Sequence, residues 1–132
     1  MNWLEKAIKS LLTPSDYELI SDKHEIGKLC EKIRQSLDGM VLISELNCAD
    51  INTHEEKNWF ESVVSPKERV IVLWPQESFS LKLNYAIFIK HYNELWYPSR
   101  DDIWIIDKTD FSWLIELNHE EVFKFCTAAN HA

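Results

Sequence analysis

Glycine is almost missing from this chain. There are two, Gly27 and Gly39, and only four prolines among 132 residues. That scarcity excludes the glycine-rich phosphate cradles of P-loop and dinucleotide-binding proteins, which need several close backbone approaches. Cysteine is equally sparse. Cys30, Cys48 and Cys126 lie far apart, with no Cys-x-x-Cys pair, so neither a zinc knuckle nor a disulfide framework is indicated. They read as reduced residues of the core in a cytoplasmic protein. Positive charge is also in short supply. Fourteen Lys and Arg face 22 Asp and Glu, for a net charge of −8, which argues against nucleic acid and anionic membrane as partners. No apolar run approaches the roughly 20 residues of a membrane span. The opening "MNWLEKAIKSLLTPSD" lacks the uninterrupted apolar stretch and small-residue cleavage site of a secretory leader.

What is present suits one folded domain, 1–132. Apolar residues make up 45% of the chain, and six Trp, six Phe and four Tyr supply bulk for a core. Trp3, Leu4, Ala7, Ile8, Leu11 and Leu12 recur at helical spacing before Thr13-Pro14. With few flanking cations, this helix is expected to pack on the core rather than lie on a membrane. A second helix follows Asp22, with Ile26, Leu29, Cys30, Ile33 and Leu37 on its buried face and Asp38-Gly39 at its end. Met40 to Leu46 predicts a strand, Thr53 opens a third helix closed by Pro66, and Arg69 to Trp74 is the clearest buried strand. From Phe79 onward two periods compete. Alternation to about Leu83 predicts a strand, and a helix follows from Asn84, as cap, to about Trp96. "DIWIID" and "FSWLIEL" predict two more strands around Lys108-Thr109-Asp110, and a last helix is expected from Asn118. The order α-α-β-α-β-β-α-β-β-α predicts an α+β domain, with a mainly antiparallel sheet of about five strands covered by helices.

His-Glu-Glu occurs twice, at His54 and at His119, in a chain with five histidines. A zinc-protease helix needs a second His four residues on. Those positions hold Asn58 and Phe123. One residue earlier, Thr53-x-x-Glu56 and Asn118-x-x-Glu121 have the spacing of capping boxes, as do Asp22-x-x-Glu25 and Ser15-x-x-Glu18. The repeats therefore read as helix starts, with Glu55 and Glu120 favoured by the helix dipole.

From Asp101 to Glu121 there are seven acids and one base, Lys108, so this segment carries −6. It is either a solvated rim, a face for a basic partner, or a divalent-metal site on Asp101, Asp102 and His119. No EF-hand spacing supports the last. There is no Gly-x-Ser-x-Gly elbow. No catalytic residue, no metal and no cofactor is expected, and the chain reads as a non-enzyme. Trp96, Tyr97 and Trp104 flank the acidic turn and are residue types that anchor interfaces.

The stretch "LWYPSRDDIWIIDKTDFSWLIELNHEEVFKF", Leu95 to Phe125, resembles the C-terminal part of small uncharacterised bacterial domains. They share a Tyr-Pro-Ser-x-Asp-Asp turn, a Trp-bearing strand and a closing His-Glu-Glu, and several small acidic domains of this look are toxin-immunity proteins. The resemblance covers about a quarter of the chain. It implies an inhibitor that binds a basic toxin domain through an acidic, aromatic-flanked surface. The expected contact residues are Asp101, Asp102, Trp104, Asp107 and Asp110, with Trp96, Glu55 and Glu56 beside them. A bacterial adaptor or regulatory domain using the same face is the alternative, and a metal-dependent hydrolase around Asp101, Asp102 and His119 is a third.

Overall fold

Strand Arg69–Trp74 is buried on both sides along all but its first residue. This follows from its place inside a seven-stranded antiparallel sheet. In chain order the elements are α1 (Trp3–Leu11), β1 (Tyr17–Ile20), α2 (Lys23–Leu37), β2 (Met40–Asn47), α3 (Thr53–Val63), β3 (Arg69–Trp74), β4 (Phe79–Asn84), α4 (Tyr85–His91), β5 (Ile103–Asp107), β6 (Trp113–Leu117) and β7 (Val122–Ala128). Across the sheet the order is β1-β4-β3-β5-β6-β7-β2, so β1 and β2 are its two borders. The computed structural model describes residues 3–77, 79–96, 102–107 and 111–128.

The sheet sorts its side chains by parity. One face carries Val70, Val72, Leu81, Leu83, Ile105, Ile115, Leu117 and Phe123, and α1, α3 and α4 cover it. The other carries Ile71, Leu73, Ile106 and Leu114 beneath α2, which contributes Ile26, Cys30 and Ile33. The domain is therefore α+β with helices on both faces of an open antiparallel sheet. α1 buries Leu4 and Ile8 on the core, as its apolar stripe predicts. Among the described residues no helix is long and apolar enough to cross a membrane.

The larger core is aromatic. Phe60 of α3 is fully buried and meets Tyr92 at 4.9 Å, Phe123 at 5.0 Å, Phe88 at 5.9 Å and Tyr85 at 6.3 Å between ring centroids. Three of these four pairs meet edge to face, the arrangement that the ring quadrupole favours. Two of the fully buried rings hydrogen-bond to backbone carbonyls. Trp74 Nε1 donates to the Leu95 carbonyl at 2.9 Å, and the Tyr85 hydroxyl donates to the Phe60 carbonyl at 2.7 Å.

Five predicted strands are present, but the sheet has two more. β1 is only four residues long, too short to show a period, and pairs with β4. β7 replaces the helix expected from Asn118. There, Asn118 Oδ1 accepts from Glu120 N (3.0 Å) and Val122 N (3.2 Å), and Glu121 takes a positive φ of 61°. These bonds close a hairpin between β6 and β7 instead of starting a helix. The Ser15 box also fails. Thr13 Oγ1 donates to Asp16, in a short 3₁₀ turn ahead of β1. At α3 the cap is Asn52, one residue before the predicted Thr53, and its side chain accepts from Glu55 N at 2.9 Å. The Asp22 cap stands, accepting from His24 N and Glu25 N. The predicted helix to Trp96 ends as α4 at His91, followed by a 3₁₀ turn, Tyr92–Glu94.

Candidate functional site

Antiparallel pairing decides which acids meet. Ile103 pairs with Leu117, Leu117 with Phe123, and Leu46 with Phe123. The start of β5, the β6–β7 turn and the end of β2 therefore share one end of the sheet, and the β2–α3 connection leaves from there. Asp50, Glu55, Glu56, Asp102, Glu120 and Glu121 all lie at that end. β2 and β5 are three strand spacings apart, about 14 Å. The two His-Glu-Glu copies, 65 residues apart in sequence, thus lie toward the same end of the sheet.

Asp102 is half-buried and holds the turn. Its Oδ1 accepts from the backbone N–H of His119 at 2.9 Å and lies 3.0 Å from that residue's Nδ1. The Asp102 hydrogen bond and charge raise the His119 pKa above its ordinary value, and Glu120 and Glu116 add to the effect. The imidazolium is thereby favoured in an acidic setting.

Glu56 is the other anchored carboxylate. The hydroxyl of fully buried Tyr92 donates to Glu56 Oε1. The Cys48 thiol lies close by. Burial first, then the hydrogen bond and charge of Glu56, then the charge of Glu121, push its pKa far up. Cys48 is thus held as a thiol with no nucleophilic character at neutral pH. Tyr92 is driven up by the same combination of burial and Glu56. The Cys48 backbone N–H donates to the Glu121 carbonyl at 2.9 Å, tying the β2–α3 connection to the β6–β7 turn.

The structure divides the predicted contact residues. Asp102, Glu55 and Glu56 come together. Asp107 lies at the opposite end of β5, about 17 Å away, where its carboxylate accepts from Phe111 N (2.8 Å) and Ser112 Oγ (2.9 Å) and braces the chain before β6. Trp96 is only 7% exposed and packs on Phe123 at 5.2 Å. Trp104 is half-buried on the α2 side of the sheet, with the Arg34 guanidinium 5.8 Å from its ring. Its parity sends it to the face that Trp96 does not occupy. Asp101 and Asp110, with Tyr97, lie outside the described residues, as do the Lys108-Thr109-Asp110 turn and most of the Tyr-Pro-Ser-x-Asp-Asp turn. Tyr92, Cys48 and Asn118 were not expected at the site. Nothing in the sequence links Tyr92 to Glu56 across 36 positions, whereas Asn118 carried a signal that fits a turn as well as a cap.

Among the described residues no group of three His, Cys, Asp or Glu side chains is arranged to hold a metal ion. Comparison of the chain with protein-family models, with curated proteins and with solved structures gives no match.

Proposed function

We propose that this is an immunity-type protein that binds a basic bacterial toxin domain at the acidic end of its sheet. The observation that carries the reading is the convergence of acids from three separate segments on one end of the fold. The backbone there is fixed by Asn52, Asp102 and Asn118. A preformed acidic surface meets a cationic partner without ordering loops at the moment of binding. Complementary charge speeds the encounter and discriminates against other partners. Toxin domains that act on nucleic acid carry cationic clefts, and a carboxylate array can occupy such a cleft in place of phosphates. Glu55, Glu120 and Glu121 are the exposed members, with Glu56 and Asp102 as the anchored ones.

The test is genetic and then kinetic. Loss of the gene beside its toxin gene should kill the producing cell, and co-expression should protect a sensitive one. With the partner in hand, the double variant Glu55→Lys/Glu120→Lys should slow association at low salt by about tenfold or more, with the difference shrinking as salt rises. Both side chains are exposed, and the hydrogen bonds that Glu55 and Glu120 give to Asn52 and Asn118 come from their backbone N–H groups, so the fold is expected to persist. An unchanged association rate, or survival of the deletion strain beside an active toxin, overturns the proposal.

A further inference from the structure

We infer that β2 is a docking edge for an extended segment of a partner protein, one that carries an aliphatic side chain and a Lys or Arg two residues apart, on the same face of the added strand. Among the described residues β2 is the longest strand of the sheet, at eight residues, and pairs only with β7. Its first half reads Met-Val-Leu-Ile-Ser, with no charge and no proline. Val41 and Leu42 are each 48% exposed and Ile43 is 56% exposed. The register slips between Leu42 and Ser44, leaving Ile43 without a partner on β7. Proteins usually blunt a border strand with lysine, proline or brevity. The other border obeys that rule, since β1 has four residues and presents Glu18 beside Leu19. β2 has the bulge alone.

The surroundings choose the occupant. On the α2 side of the sheet the apolar row Ile71–Ile106–Leu114–Cys126–Leu42 runs from beneath α2 out to the border. Its neighbour, Trp104–Glu116–Lys124–Glu45, ends in an exposed acid. Asp38 precedes the strand and Asp50 follows it. On that face an added strand would therefore set side chains two residues apart against an apolar and an acidic position in turn, which is the pattern of the proposed segment. A second copy of this chain fits poorly. Each copy carries a net charge of −8, and joining two copies along this border brings two sets of Asp38, Glu45 and Asp50 together, like charges that repel. Three half-exposed aliphatic side chains also fall well short of the roughly 800 Å² per partner of a stable globular interface. An added strand needs less area, because its backbone hydrogen bonds supply affinity and its alternate side chains supply selectivity. Val41–Ile43 lies about 17 Å along β2 from the acidic end, so the inference does not rest on the function proposed there.

The experiment uses the whole protein and an N-acetylated peptide matched to the eight residues of β2, with valine and lysine alternating along one face and threonine at the positions between. A control peptide has alternate amides N-methylated. The alternating peptide should bind with Kd below about 1 mM and slow hydrogen exchange at the outward amides of Met40–Asn47. Ile43→Lys and Leu42→Lys, at exposed positions, should each cost about tenfold in affinity, and N-methylation should abolish binding. Glu55→Lys/Glu120→Lys should leave the protection of β2 in place. Equal binding by the N-methylated peptide or by both lysine variants would mean plain charge attraction and would overturn the proposal. So would absent binding, or a concentration-dependent dimer that protects β2 without peptide.

Discussion

Removing the Glu56 carboxylate should harm the protein more than removing both partners of its hydrogen bond. Tyr92 is fully buried and donates its hydroxyl to Glu56, which is half-exposed at the start of α3. In Glu56→Ala the hydroxyl is left in the core without an acceptor, a cost of about 1–3 kcal/mol. The neighbouring Cys48 sulfur is a weak acceptor and replaces little of this. Loss of an acid from the first turn adds about 0.3–1 kcal/mol through the helix dipole. In Tyr92→Phe the carboxylate can turn to water, so the loss stays near 1 kcal/mol. In the double variant the stranded hydroxyl is gone, leaving mainly the helix-dipole and packing losses, and its total should return to about 1–1.5 kcal/mol. The double variant should therefore be more stable than Glu56→Ala alone. Urea unfolding at neutral pH with a constant m-value reads all four corners of the cycle. If the two single losses simply add, within about 0.5 kcal/mol, no hydrogen bond couples α3 to Tyr92 and the anchoring described above is wrong.

His119 should titrate above an ordinary histidine in an NMR pH series, and Asp102→Asn should bring it back down; no change on that substitution would contradict the Asp102 contact. Because the folded value is the raised one, the stabilisation from the His119 imidazolium on Asp102 is fully present below the ordinary value near 6.5 and is lost as pH rises through the folded value, while the backbone N–H bond to Asp102 remains. Phe60→Ala, at the centre of the aromatic core, should cost about 3–5 kcal/mol in the same urea assay, close to the whole stability of a marginal domain. Gly27→Ala should stabilise by about 0.5–1 kcal/mol, since Gly27 lies inside α2 with open space where a Cβ would go; a fall in the thermal midpoint would refute the reading. Glu121→Gly should be neutral or stabilising by up to about 1 kcal/mol, because φ of 61° strains a residue with a side chain.

How far this fold was legible depended on the range of each signal. Local periodicity placed α1, α2, α3 and five strands, because an amphipathic stripe or an apolar run declares itself within one element. Asn118 misled for a physical reason. A side-chain oxygen that accepts from N–H groups two to four residues on serves an Asx turn and a helix cap alike. The discriminating signal lay just downstream, where Val122–Ala128 puts Phe123 and Phe125 in the core and Lys124 opposite, a period of two. The acidic site was half legible. Linear density of acids from Asp101 to Glu121 points to Asp102, but it treats as one surface a strand whose two ends lie about 17 Å apart. Glu55 and Glu56 are legible as expected contact residues, but their place at the same end of the sheet as Asp102 depends on β7 sitting between β6 and β2, which no local pattern states.

That position of β7 also sets the order in which the molecule can be made. Asn47 pairs with Val122 and Met40 with Ala128, so β2 has no strand to lean on until a further 75 residues or more have been synthesised. Ribosomes add roughly 5–20 residues each second, so for several seconds the Met-Val-Leu-Ile stretch is a bare apolar segment on a growing chain. Such distant pairing slows folding and lengthens exposure to other chains. An early companion for this stretch, whether a chaperone or a protein made alongside, would shield it during those seconds, and mature β7 would then have to displace it.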